Sequence, residues 1–258
     1  MQTETQSKQR NLKARALATI NRQTVAVGFA VLYVLLAFGF SGVFRFFFAA
    51  MALYLVLVMS YNFFSLRAQR LYTFWSWLRP LFFFASLFAI YFVLPSEGLR
   101  VIFLILSAVF IYFSESALHL ISEQAIFLQT LFSYFGLCLG IFSLNFYFLP
   151  QTTIVLAALL LVTYLLGRAS FENVPQTAAK KNFYAWLIAF GMAEICWALL
   201  FLPLHFTALA LILFNCFYAL WILSYYQLFN NLGGKKVSFY IIFPTIIIAL
   251  ILIVTPWR

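Results

Sequence analysis

Apolar residues fill long uninterrupted stretches of this chain, and polar residues are confined to short breaks between them. A helix that crosses a bilayer needs about 20 mostly apolar residues, since each residue rises about 1.5 Å through a hydrocarbon core about 30 Å thick. Nine segments meet or approach that length: 24–41, 44–64, 80–94, 99–121, 124–144, 152–167, 183–201, 206–229 and 237–255. They are apolar on every side rather than at alternate positions, so each is predicted to be a transmembrane helix and not a strand of a barrel. The third and sixth are short, which leaves eight spans plus a re-entrant pair as the alternative count. The pattern predicts an all-α, polytopic transmembrane helix bundle of about nine spans. A basic segment, 1–23, precedes a single helical domain over 24–258.

The basic residues orient this bundle. With the N-terminus in the cytoplasm and nine spans threaded, the inner side receives Lys8, Arg10, Lys13, Arg15, Arg22, Arg67, Arg70, Arg79, Arg168, Lys180, Lys181, Lys235 and Lys236. Only Arg45, Arg100 and Arg258 fall outside. That is the positive-inside asymmetry, and it predicts an inner N-terminus and an outer C-terminus. Trp75, Trp77, Trp186 and Trp257 fall at predicted span ends, where indole rings form an aromatic belt. Leu94 to Gly98 and Leu202 to His205, each with a proline, read as outer turns, and Asn230 to Gly234 as an inner turn. In the N-terminal segment Leu12, Ala16 and Ile20 recur every four residues beside Lys13, Arg15 and Arg22, a pattern suited to lying on anionic lipid.

Composition agrees with a membrane solvent. The chain of 258 residues is 66% hydrophobic and 9% charged, where a soluble domain is about a quarter charged. The net charge of +10 would suggest nucleic acid in a soluble protein. Here the charge lies between apolar runs, so the expected partners are the lipid bilayer and a membrane protein, with no nucleic acid. An integral membrane protein is expected, of a bacterial inner membrane or alternatively of an organelle. No Asp occurs, which removes aspartic dyads, Asp-bearing triads and Asp-held magnesium. Cys138, Cys196 and Cys216 each lie inside an apolar run without a C-x-x-C pattern, so they read as small packed hydrophobes rather than as a disulfide or zinc framework. Nothing in the sequence names a cofactor.

An ionisable residue inside the bilayer is a functional candidate by default. Glu194 is the leading one, about 16 Å above the inner boundary of its segment, and Asn215 on the next segment lies at nearly the same depth. A tight turn joins the two segments, so Glu194 and Asn215 are expected to approach each other and to serve substrate contact or proton coupling. The alternative is a neutral hydrogen bond that only holds two helices together. Glu115, His119 and Glu123 form a second group, spaced by four on one predicted helical face. A Glu and a His at that spacing can share a metal or work as an acid–base pair. The group also reads as a solvated helix end, and no metalloprotease motif accompanies it.

The loop around Phe171 to Pro175 is long enough to meet a partner, or to act as a plain connector. Gly136 and Gly140 form a small-xxx-small pattern that predicts close helix approach. Two functional expectations follow from these residues. The first is a small transporter-like protein or membrane-complex subunit; the second is an intramembrane or interfacial enzyme acting on lipid or peptide through Glu115, His119 and Glu123.

Overall fold

A computed structural model of the chain describes residues 23–39, 44–68, 73–117, 123–148, 151–229 and 233–255. The N-terminal segment, Arg70, His119, the turn residues Asn230 and Asn231, Trp257 and Arg258 lie outside the described residues. Among those described there is no strand. A helix satisfies its backbone N–H and C=O groups within itself, which hydrocarbon demands, and the protein is a helical membrane bundle.

The nine predicted segments correspond in order to nine helices among the described residues. They are α1 Gln23–Gly39, α2 Phe44–Ala68, α3 Phe74–Val93, α4 Glu97–Ala117, α5 Glu123–Phe148, α6 Thr152–Ser170, α7 Ala178–Leu199, α8 Phe206–Leu228 and α9 Gly234–Val254. Among the described residues, length and composition mark fewer than nine of them as full crossings. Six helices, α4 to α9, are long and apolar enough to cross a membrane. The apolar stretches of the first three, Gln23–Gly39, Ala49–Phe64 and Trp77–Val93, are shorter.

The start of α3 also differs from expectation. The helix begins at Phe74 and runs through Pro80 instead of starting there. Pro80 lies in the second turn, where it deletes one intrahelical hydrogen bond, a loss that membrane helices tolerate when neighbours satisfy the freed group. Trp75, Trp77 and Arg79 are therefore held on a helix rather than in a loop, and Trp77 Nε1 donates to the Met59 carbonyl at 3.0 Å.

Two compact units emerge, one from residues 1–58 and 95–125, the other from 59–94 and 126–258. In the first, Ala26, Ala30, Tyr33 and Ala37 recur at helical spacing along α1 and are all buried. The Tyr54 hydroxyl of α2 donates to the Phe29 carbonyl at 3.2 Å, and the Tyr33 and Tyr54 rings meet edge to face at 5.9 Å. In the second unit α8 is among the most enclosed helices. The Phe217 ring stacks on Tyr134 of α5 at 3.7 Å, Trp221 meets Phe127, and Tyr226 stacks on Tyr240 of α9. The turn into α8 is closed by His205, whose Nδ1 accepts from the Thr207 N–H as an N-cap.

Gly136 and Gly140 bring α5 against α3, as the small-xxx-small pattern predicts. A Cβ at Gly136 would lie 2.6 Å from the Ser86 Cβ and 2.9 Å from its carbonyl oxygen, and one at Gly140 would lie 2.9 Å from the Ala89 Cβ. At Gly167 on α6 an added Cβ meets nothing within 4 Å. Gly136→Leu is therefore expected to lower unfolding free energy in a denaturing-detergent titration by about 1–3 kcal/mol, the range for overpacking. Gly167→Ala should hold it steady or raise it by up to about 1 kcal/mol. Equal losses at both positions would deny the close approach of α3 and α5.

Candidate functional site

The polar group that spans most elements lies where α6 runs into α7. The last residues of α6, Gly167 to Ser170, are buried, and so are Phe171 and Val174 of the loop that follows. A buried loop needs internal partners for its polar groups, and three hydrogen bonds tie it and its flanks to the neighbouring helices. Trp221 of α8 donates from Nε1 to Ser170 Oγ at 2.6 Å. Gln176 donates to the Leu228 carbonyl at 3.0 Å. Lys181 Nζ donates to the Glu172 carbonyl at 2.8 Å. Thr177 then caps α7 by accepting from the Lys180 N–H.

Arg168 is the centre of this arrangement. Its side chain is only 6% exposed. Nε donates to Asn182 Oδ1 at 2.6 Å, Nη1 meets Glu172 Oε2 at 3.1 Å, and the guanidinium covers the Trp75 ring at 4.6 Å. Arg79 of α3 comes within electrostatic reach of Glu172, and Lys181 of both Glu172 and Arg168. The Nε of Arg79 is buried with no hydrogen-bond partner. The aromatic wall beside these cations runs from Trp75 through Tyr164, 6.3 Å away, to Trp186, which stacks on Tyr164 at 4.2 Å. At the edge of an apolar bundle, Arg168 thus pairs with the Glu172 carboxylate, Lys181 bonds the carbonyl of the same residue, and Arg79 lies within electrostatic reach. The sequence pointed to the loop through Glu172 but not to this convergence, because Arg79 and Arg168 are 89 positions apart.

The structure places Glu194 and Asn215 differently. Glu194 is exposed on α7, while Asn215 is buried on α8. Asn215 Nδ2 donates to the Leu211 carbonyl one turn back at 2.8 Å, and no hydrogen bond joins it to Glu194. The exposed residues of α7 include Phe183, Leu187, Phe190, Glu194 and Trp197, with Phe201 just beyond its end. They fall three or four apart and form one stripe along the helix. Glu194 is the one carboxyl in that stripe of large apolar side chains. The opposite face, with Ala185, Ile188, Ala189, Met192, Cys196 and Leu199, is buried.

Of the second expected group, Glu115 is buried near the end of α4, within electrostatic reach of Tyr54. His119 and the side chain of Glu123 lie outside the described residues. The structure adds the Tyr54–Tyr33 pair beside Glu115, for which the sequence holds no spacing signal because α1, α2 and α4 meet only in the fold. Beside this pair a groove of about 510 Å³ lies between α1 and α4, lined by Ala30, Val34, Ala108 and Tyr112 among others. Among the described residues no three His, Cys or acidic side chains are grouped to hold a metal ion. Cys138 and Cys196 are buried and Cys216 half-buried, all as free thiols.

Comparison of the chain with protein-family models, with curated proteins and with solved structures finds no match.

Proposed function

We propose that this multi-pass membrane protein is a subunit of a membrane assembly and associates with a second copy of itself through the exposed stripe of α7. The observation that carries this reading is Glu194, an acid in the outer half of an apolar helix and exposed on its surface. A carboxyl facing hydrocarbon alone costs about 2.5–3.5 kcal/mol on insertion scales. A carboxylic acid carries an O–H donor and acceptor oxygens and a glutamine amide carries both kinds as well, so either can pair with its own copy.

Copies inserted with one topology carry Glu194 at one depth. A two-fold axis along the membrane normal then sets the two carboxyls opposite each other, as an isologous contact requires. Around them Phe190, Trp197 and Phe201 are 56%, 55% and 72% exposed, and large aromatic side chains supply much of the energy where protein surfaces meet. The transporter-like reading draws less support, since Asn215 is already bonded to its own helix and Glu194 points away from the core.

Subunit counting in lipid nanodiscs tests the contact. Wild type and Glu194→Gln, which keeps a donor and an acceptor, should be dimeric. Glu194→Lys should weaken association about tenfold or more, and Trp197→Ala should weaken it too. A wild type that stays monomeric at every protein-to-lipid ratio would overturn the reading. Loss of proton-coupled flux in a monomeric Glu194→Gln protein would return Glu194 to a coupling role.

The same proposal takes the N-terminus to be cytoplasmic and the C-terminus to be on the opposite side. The asymmetry of basic residues supports this threading of all nine helices. Impermeant thiol reagents should label cysteines added at residues 3 and 258 from opposite compartments. Labelling of both from one compartment would reject it.

A further inference from the structure

We infer that the cations Arg79, Arg168 and Lys181 form a binding site for a phosphate group carried by an anionic lipid. The inference is independent of the α7 contact. Three positive side chains gather within electrostatic reach of a single carboxylate, Glu172. Arg168 and Lys181 are buried, and like charges withdrawn from water repel unless an anion joins them.

The unit that contains them, residues 59–94 and 126–258, has one other acid in its sequence, Glu194. Lys181 and Glu194 stand 13 positions apart on one helix, about 20 Å by helical rise, too far for a contact. An anionic ligand would balance the cations that Glu172 alone does not neutralise.

The donors left over suit a phosphate. Arg168 has used Nε and Nη1 on Asn182 and Glu172, Lys181 has one bond to a carbonyl, and the buried Nε of Arg79 has none. Arginine forks and an ammonium offer several parallel N–H groups to tetrahedral oxygens. The position favours a lipid source over a soluble one. Trp75, Tyr164 and Trp186 stand beside the cations, and such rings settle at headgroup level, with acyl chains free to run along the apolar bundle. Basic pockets between helices near a membrane surface recognise anionic headgroups in this way.

The test uses the full chain in nanodiscs and native mass spectrometry of the lipids it retains. Arg79→Gln is the informative variant, because Arg168 also ties the loop, whereas Arg79 Nε bonds nothing. Wild type should retain phosphatidylglycerol in preference to phosphatidylcholine, and Arg79→Gln should lower that preference about tenfold, the factor of a lost charge-assisted hydrogen bond. Arg79→Lys should keep most of it, and helicity should be the same in all three.

Radiolabelled inorganic phosphate separates the sources. If it binds the delipidated protein and phosphatidylglycerol does not displace it, the site serves a soluble phosphate and the lipid assignment is overturned. Equal retention of both lipids, or a preference unaffected by Arg79→Gln, would overturn the site itself. Glu194→Lys should leave the lipid preference intact, so failure of the dimer contact is distinguishable from failure here.

Discussion

Hydrocarbon offers no hydrogen-bond partner, so a polar group within the spans gains by finding one inside the protein, and several find it on their own helix, while the buried hydroxyls of Ser107 and Thr130 have none. Ser86 donates to the Phe83 carbonyl, Ser143 to Gly140, Thr163 to Leu159, Ser170 to Gly167 and Thr245 to Ile241. Asn215 does the same toward Leu211. Each hydroxyl or amide closes on a carbonyl three or four residues back, which hides its polarity on its own helix. The helices then pack by shape, through glycine contacts such as Gly136 on Ser86 and through stacked rings such as Tyr134 on Phe217.

Against that background the groups that reach beyond their own helix stand out. Trp221 binds Ser170 across α8 and α6, Tyr134 lies 3.3 Å from Thr163 across α5 and α6, and Gln176 reaches the end of α8. Arg168 goes furthest, engaging α3 through Trp75 and α7 through Asn182. These contacts concentrate at one end of the second unit, around the buried α6–α7 loop. A guanidinium can serve this role where a lysine could not, since its planar fork bonds two partners while its face covers a ring.

Helix existence was legible from apolar run length, and the Gly136–Gly140 contact from its spacing. Boundaries were less so: Pro80 read as a start because proline usually breaks helices, yet the membrane context lets α3 run through it. Which face a residue takes was not legible at all. Equal depth suggested that Glu194 meets Asn215, but depth leaves rotation about the helix axis open. A helix apolar on every side carries no hydropathy stripe to set that rotation: the exposed face of α7 is mostly Phe, Leu and Trp and the buried face mostly Ala, Ile, Met, Cys and Leu, and both are apolar. Arg79 and Arg168 escaped notice for a related reason, since charge at a span end reads as an orientation signal until the fold brings two ends together.

The two polar features that remain share α7, and their separation decides how they relate. Lys181 and Glu194, about 20 Å apart along the helix, would attract by only about 0.8 kcal/mol at an effective dielectric constant near 20. That is small beside the cost of leaving either charge in an apolar environment. Rotation separates them as well: Lys181 is on the buried face with Ala185 and Ile188, and Glu194 is on the exposed one. No modest rearrangement of a rigid helix can make Glu194 the counter-ion of the basic cluster. On the two proposals above, the anion at the cluster and the partner of the carboxyl are therefore different molecules, reached from different sides of the same helix.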